Sequence, residues 1–324
     1  MKKEEILKYI QFELQKRMEP EGQTVMISKV IKTNDIELDA LTFSDGKTGV
    51  SPTIYLNDYY AEVNRGRSLL EIVDEIYDIF KNRTRKLSFD VNNFEVYEKM
   101  KDGIAFRLVN TAMNEKLLRD VPHRDFLDLS IIYYCVIPGE EPVGSATALI
   151  HNSHLKIWKV TEDELYRQAV RNTQQLFPCV IRSMDDIIRE LLEDGFRRTV
   201  SAQRIKEEPD YCRKAAQEEF DHLSGGRIDD LKMYVMSNQS RLQGASCILY
   251  QDALLEFSTN IQKDLYILPS SIHEVILVPV LSRMKESELS AMVREVNRDA
   301  VNPEEVLSDH VYFYSRESNQ IFIA

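Results

Sequence analysis

Residues 244–280 (GASCILYQDALLEFSTNIQKDLYILPSSIHEVILVPV) constrain the fold more than any other stretch, because three apolar runs and one amphipathic helix crowd into a short span. Residues 246–250 are short, apolar and end in an aromatic, the pattern of a buried strand. Leu254, Leu255, Ser258 and Ile261 then fall at helical spacing with Phe257 on the flank, which predicts a helix with one buried face. Residues 265–268 read as a second strand, stopped by Pro269, and residues 275–280 as a third. A strand–helix–strand unit of this kind predicts a parallel pair, with polar loops at the carboxyl ends of the strands. Open sheets bind ligands at those ends. Ser270, Ser271, His273 and Glu274 occupy that loop and are the candidate ligand- or partner-binding residues.

The rest of the chain alternates helices and strands. Ile6, Leu7, Ile10 and Leu14 form one stripe of a helix over residues 3–18, which Pro20 and Gly22 end. Residues 25–30 and 36–43 read as strands, and the turn 44–49 leads to a partner strand at 53–56. Ser68 and Glu71 form a capping box that opens a helix through Leu69, Ile72, Val73, Ile76 and Phe80. Residues 104–109 and 129–137 are strands, 139–144 a turn and 146–150 a further strand. Thr161 and Glu164 cap the next helix. Ile187, Ile188, Leu191 and Leu192 mark another, with Gly195 placed to end it. A helix near 209–223, a turn at Gly225 and Gly226, a helix through Leu289, Met292, Val293 and Val296, and a closing hairpin at 311–314 and 321–323 complete the chain.

These elements predict a mixed α/β (α+β) fold: a smaller α+β N-terminal region over residues 1–90, then a larger mixed-sheet α/β region over 91–324. A polar connector lies near 196–230. A degenerate internal repeat is one reading of segments 106–178 and 246–303. In both, a hydrophobic-Pro pair precedes a polar loop, and a later helix places an Asn six residues before a Pro (Asn172 and Pro178, Asn297 and Pro303).

Charge and cysteine usage exclude some functions. A net charge of −12 argues against a nucleic-acid binder that relies on bulk charge. The best local basic patch, residues 81–86 (KNRTRK), reads as solvated side chains at a helix end. No apolar run approaches the length of about 20 residues that a membrane span needs, and the first helix lacks a signal core. Cys135, Cys179, Cys212 and Cys247 are scattered without a CxxC pair, which suits reduced thiols in a cytoplasm.

Several constellations invite chemistry. Gly46, Lys47 and Thr48 are not a phosphate loop, since Leu41 stands where that motif needs glycine. Within the 270–274 loop a hydroxyl, an imidazole and a carboxylate are close in sequence, but alternation along an extended segment points His273 and Glu274 to opposite faces. A zinc-protease pattern fails because Leu277 stands where a second histidine is required. His151, His154 and Trp158 form a second cluster, read as a turn or strand with a packed indole and exposed imidazoles rather than as a metal site. Tyr55, Tyr59 and Tyr60 read as a half-buried strand-to-helix junction, and Asp309 and His310 as an acid and a base available from a distance, with the sequence leaving open whether they meet His273. No metal and no cofactor is expected.

Three strings carry a resemblance: Pro52-Thr53-Ile54-Tyr55-Leu56 with Tyr59 and Tyr60; Leu149-Ile150-His151-Asn152 with Leu155 and Trp158; and Tyr266-Ile267-Leu268-Pro269-Ser270-Ser271-Ile272-His273-Glu274-Val275. The chain resembles, over nearly its whole length, an uncharacterised bacterial family of unknown function that is common in gut-dwelling anaerobes. That resemblance implies a cytoplasmic protein with no assigned activity, and it transfers no functional residues. The resulting expectation is a non-enzymatic binding or regulatory protein, acting on a protein partner or a small ligand, with no nucleic-acid and no membrane partner. The alternative is a hydrolase that uses the 270–274 loop.

Overall fold

The computed structural model describes residues 2–44, 53–84, 91–137, 146–224, 232–269, 271–281 and 285–324. The turns expected at 44–49, 139–144 and 225–226, Ser270, and the side chains of residues 82–86 in the basic patch lie outside the described residues. Lys81, at the edge of that patch, pairs with Glu21. The chain divides into two compact units. One comprises Met1–Phe106, Thr111–Arg124 and Ile132–Asn172, and the other Arg107–Asn110, Asp125–Ile131 and Thr173–Ala324.

In chain order the elements are α1 (Lys3–Met18), β1 (Thr24–Ile31), β2 (Glu37–Ser44), β3 (Thr53–Tyr55), α2 (Asn57–Asn64), α3 (Leu69–Thr84), α4 (Tyr97–Met100), β4 (Ile104–Asn110), α5 (Glu115–Leu118), β5 (His123–Phe126), β6 (Leu129–Ile137), β7 (Ala146–Leu149), α6 (Asn152–Trp158) and α7 (Glu162–Leu176). There follow β8 (Cys179–Ser183), α8 (Met184–Thr199), α9 (Ala202–Glu207), α10 (Tyr211–Ser224), β9 (Tyr234–Asn238), α11 (Gln251–Ile261), β10 (Leu265–Leu268), β11 (Val275–Pro279), α12 (Glu286–Asp299), β12 (Tyr312–Ser315) and β13 (Gln320–Ile323). The fold is mixed α/β, and its sheets are antiparallel.

In the first unit, β1, β2 and β3 form a sheet whose inner face meets the stripes of α1 and α3. Ile6, Ile10, Leu14 and Met18 from α1 interlock with Ile72, Val73, Ile76 and Phe80 from α3 over Leu41 and Phe43. Each such side chain contributes about 1.5–3 kcal/mol by leaving water. Phe43 and Phe80 touch at 4.4 Å between ring centroids. Tyr55, Tyr59 and Tyr60 do sit at the strand-to-helix junction of β3 and α2: the Tyr59 hydroxyl donates to Glu75 and that of Tyr60 to Asp39. Thr161 and Glu164 cap α7 reciprocally, at 2.8 and 3.3 Å. Later in this unit β7 pairs with β6, from Tyr134 opposite Leu149 to Ile137 opposite Ala146.

The second unit is built on a sheet with strand order β13-β12-β10-β11-β9-β8, and its successive pairs are antiparallel. Here the structure corrects two expectations. Residues 246–250 are not a strand: Gly244–Leu249 is a 3-10 turn, and Ser246 Oγ accepts the amide of Leu108 at 3.1 Å. A short apolar run satisfies burial in either conformation. The expected parallel pairing of residues 246–250 with 265–268 is therefore absent; β10 instead pairs with β12 and forms an antiparallel hairpin with β11, Leu268 opposite Ile276. Its connection is the 269–274 loop, too short for the crossover that parallel strands require.

Gly195 does not end α8, which continues to Thr199 with the glycine exposed. The polar stretch 196–224 is helical and folds α10 back against α8, with Arg189 stacked over Phe220 at 4.0 Å. Asn172 and Asn297 do similar work: both are buried, and both donate through Nδ2 to backbone carbonyls. The second segment of the supposed repeat, however, opens on a helical turn where the first opens on β4.

Two glycines make opposite predictions. A Cβ on Gly195 meets nothing within 4 Å, so Gly195→Ala is expected to stabilise the protein by about 0.5–1 kcal/mol in urea unfolding. A Cβ on Gly244 would lie 2.5 Å from the His273 carbonyl oxygen and 2.7 Å from the Asn238 nitrogen, besides striking Ser237 Oγ. Gly244→Ala is expected to destabilise by about 1–3 kcal/mol, the usual cost of forced overpacking.

Candidate functional site

The loop singled out by sequence is tied into the second unit by its own polar groups. Ser271 is buried, donates its hydroxyl to Glu274 Oε1 at 3.1 Å and accepts the amide of His273 at 3.0 Å. The Ser271 amide reaches the Glu274 carbonyl, and the Ile272 amide reaches the Glu305 carbonyl at 2.8 Å. His273 accepts the Gln243 amide at Nδ1 (3.2 Å), leaving Nε2 at 3.5 Å from Glu305 Oε1. Its carbonyl takes the Ser237 hydroxyl at 2.7 Å. Gln243 itself has a left-handed backbone, with φ of 57°, so the imidazole secures a residue whose conformation needs support. Ser271, His273 and Glu274 are thus brought together, with the Ser271 hydroxyl engaged by Glu274 and by the His273 backbone rather than by the imidazole ring. Asp309 and His310 have other partners than His273: Asp309 Oδ1 accepts from Asn297, and His310 pairs with Asp128.

His310 faces Asp128, a residue that sequence reasoning did not single out. Asp128 accepts from Ser308 Oγ (2.6 Å), His310 Nδ1 (3.0 Å) and Tyr312 Oη (2.7 Å). Burial alone would raise its pKa, but the three donors outweigh that and hold it below the usual aspartate value. Asn297 Nδ2 braces the same turn through the Ser308 carbonyl and Asp309 Oδ1. A separation of 182 residues hides the Asp128–His310 pair from any local motif.

The first unit holds an open concavity of about 690 Å³, within the size range of small-ligand sites. Asp35 accepts the amides of Lys116 and Leu117 and so caps the short α5, whose Glu115 and Leu118 line the concavity. A buried reciprocal pair, Asn34 with Asn114, fixes that contact at 2.7 and 2.9 Å. The first turn of α6 is clipped to the loop that follows α5: the Asn152 amide donates to the Asp120 carbonyl at 2.9 Å. Leu118, Val121, Pro122 and Leu155 supply apolar lining, while Glu115, Arg119, His123, Asn152 and Glu162 supply the polar groups.

Glu162 is the best-anchored of these polar groups. Arg124 grips both of its oxygens, at 3.2 and 2.7 Å, and the Tyr133 hydroxyl donates to it from the core. Burial, and then the bond to Glu162, pushes the Tyr133 phenol far above its ordinary pKa, so it remains a donor. Arg124 in turn lies 4.1 Å over the Tyr166 ring. His123 Nδ1 stands 3.0 Å from the Val121 carbonyl, which can only accept, so the proton is on Nδ1 and Nε2 is left for another partner.

In the cluster of His151, His154 and Trp158, the last two lie on α6 rather than in the expected turn or strand, and His151 is the extended residue that precedes the helix. His151 Nδ1 pairs with Asp120 at 2.7 Å, and His154 Nδ1 accepts the His151 amide. Trp158 is buried and donates to the Phe94 carbonyl at 2.7 Å, as its packing role requires. Both residues are half-buried rather than exposed: His154 stacks on Trp158 and meets Phe94 edge-on, and His151 lies edge-on to His154. Burial, and then the neighbouring His151, lowers the His154 pKa. Among the described residues, no group of three His, Cys, Asp or Glu is placed to hold a metal ion, and no helix is long and apolar enough to cross a membrane.

Two substitutions test these assignments. His273→Ala leaves the Gln243 amide without its acceptor and is expected to cost about 0.5–3 kcal/mol in urea unfolding; an unchanged midpoint would contradict a structural role. Asp128 has a depressed folded-state pKa, so its contribution is present above the unfolded value near 3.8 and fades as pH falls through the folded value. Asp128→Asn is therefore expected to lower stability by about 1–3 kcal/mol at pH 7 and to flatten the loss of stability on acidification below about pH 4.

No curated protein matches the chain, and no solved structure matches it. Residues 3–316, nearly the whole length, match DUF5688, and the chain belongs to that family of unknown function.

Proposed function

We propose that the protein is a non-enzymatic, cytoplasmic binding or regulatory protein, and that the concavity of the first unit is its small-ligand site. The observation that carries this reading is the pairing of apolar lining with the anchored carboxylate of Glu162. A carboxylate held by Arg124 and Tyr133 keeps its position whether or not a ligand is present, which reduces the ordering cost of binding. His123 and Asn152 add hydrogen-bonding capacity, and Arg119 adds a positive charge at the lining. The ligand class that fits is a small molecule with an apolar portion and several polar groups. The net charge of −12 supports a function without general nucleic-acid binding.

The hydrolase alternative centres on the 270–274 loop. It requires an imidazole within reach of a nucleophilic hydroxyl, whereas the Ser271 hydroxyl is committed to Glu274 and to the His273 backbone. Geometry therefore favours binding.

Leu155→Trp tests the site, since it fills the concavity from α6. Protein isolated from its native cytoplasm would be analysed by native mass spectrometry with extraction of bound metabolites. The wild type is expected to retain a small molecule that the variant loses, with circular dichroism unchanged. Adding back the identified molecule at 100 times its Kd is expected to stabilise only the wild type, by about 2.7 kcal/mol. Equal retention by both proteins, or none by either, would overturn the assignment.

A further inference from the structure

The concavity of the first unit presents its lining groups mostly as acceptors. The Glu162 carboxylate has room for about four donors. Arg124 Nε and the Tyr133 hydroxyl occupy Oε1, and Arg124 Nη2 occupies Oε2, which leaves one acceptor position on Oε2 unused. Arg124 is also shared with Asp163, so its single positive charge faces two carboxylates. His123 holds its proton on Nδ1, against the Val121 carbonyl, and keeps Nε2 to accept. The Asn152 side chain donates through Nδ2 to the Arg119 carbonyl at 3.3 Å, which leaves Oδ1 as an acceptor. Each of these three residues therefore offers the concavity an acceptor.

Two opposite charges complete the lining, one helical turn apart. Glu115 opens α5 and Arg119 follows its last residue, a spacing that sets the two side chains next to each other on one face. Both line the concavity, and among the described residues neither side chain has a hydrogen-bond or ion-pair partner. Exposed opposite charges at this spacing attract only weakly in water, so a ligand that offers each a closer partner displaces little. Leu118, Val121 and Pro122, all buried, and Leu155 add the apolar surface.

We infer that the ligand of this concavity is a zwitterion with an apolar body, an apolar amino acid or a short apolar peptide, an inference that rests on the concavity being the ligand site proposed above. The ligand carboxylate pairs with Arg119, whose planar fork matches two carboxylate oxygens. The ligand ammonium carries three N–H donors, and Glu115, Glu162 Oε2, His123 Nε2 and Asn152 Oδ1 are the acceptors that meet them. The apolar body covers Leu118, Val121, Pro122 and Leu155. A purely anionic ligand would leave the acceptors without donors and bring its charge toward Glu115 and Glu162. A purely cationic one would leave Arg119 unmatched. A volume of about 690 Å³ accommodates a single residue or a short peptide.

The test titrates the full chain by calorimetry with phenylalanine and with the dipeptide leucyl-phenylalanine. Two analogues that each lack one charge, phenethylamine and hydrocinnamate, serve as controls. At least one zwitterion is expected to bind, and both analogues at least about tenfold more weakly, the loss that follows from one missing charge-assisted bond. Whichever of the amino acid and the dipeptide binds more tightly identifies the source of the chemistry. Arg119→Gln is expected to weaken the zwitterion about tenfold with phenethylamine unaffected, and Glu115→Gln to weaken it without weakening hydrocinnamate. An analogue that binds as tightly as the zwitterion, an unchanged affinity in Arg119→Gln, or no binding by either zwitterion would overturn the inference. The retention experiment with Leu155→Trp separates that outcome from failure of the site itself. A retained molecule that is not a zwitterion leaves the concavity as the ligand site and removes only the zwitterion, whereas undiminished zwitterion binding to Leu155→Trp overturns both.

Discussion

The second unit depends on one close approach of backbone to backbone. Gly244 stands against the Asn238 amide and the His273 carbonyl with no room for a side chain. That contact brings the Gly244–Leu249 turn onto β9 and lets the Ala245 amide reach the Ile272 carbonyl at 3.2 Å. It also sets the Gln243 amide against the His273 imidazole. The polar loop that looks most like a site in the sequence is, in space, the clasp for this approach. Its imidazole accepts the Gln243 amide at the entry to that turn, while its hydroxyl and carboxylate bond within the loop itself, and an unpaired buried group costs more than a made bond contributes.

The same economy governs the carboxylates. Asp39 takes Lys3 and Tyr60, Asp128 takes Ser308, His310 and Tyr312, and Glu162 takes Arg124 and Tyr133. Each is a charge removed partly from water, and each is tolerated because several donors converge on it. They differ in what lies beside them. Glu162 lines a concavity with apolar residues around it, and this surrounding, rather than the carboxylate itself, separates a candidate ligand site from a structural anchor.

Much of the secondary structure was legible because periodicity is a local property. The stripe of Ile6, Ile10 and Leu14 announced α1, and the unbroken run of residues 129–137 announced β6. The Thr161–Glu164 box marked the start of α7 by chemistry that acts within one turn. Reading failed where local pattern is degenerate. Residues 246–250 are apolar enough for a strand, but burial alone does not choose between a strand and a 3-10 turn. Gly195 carries a stop signal for a helix, yet packing of α8 and α10 carries the chain through it.

The sequence by itself determined the family, the mixed α/β class, most helices and strands, and the residues that compose the 270–274 loop. Tertiary structure decided the direction of β10 and β11, since strand direction depends on the connection and its partners and not on side-chain alternation. It decided the role of His273 by placing the Gln243 amide at its ring. It assembled Asp128 with His310 and Glu162 with Arg124 from positions far apart in the chain. Local sequence encodes which groups will seek partners; only the folded backbone, by setting distances between remote segments, determines which partners they find.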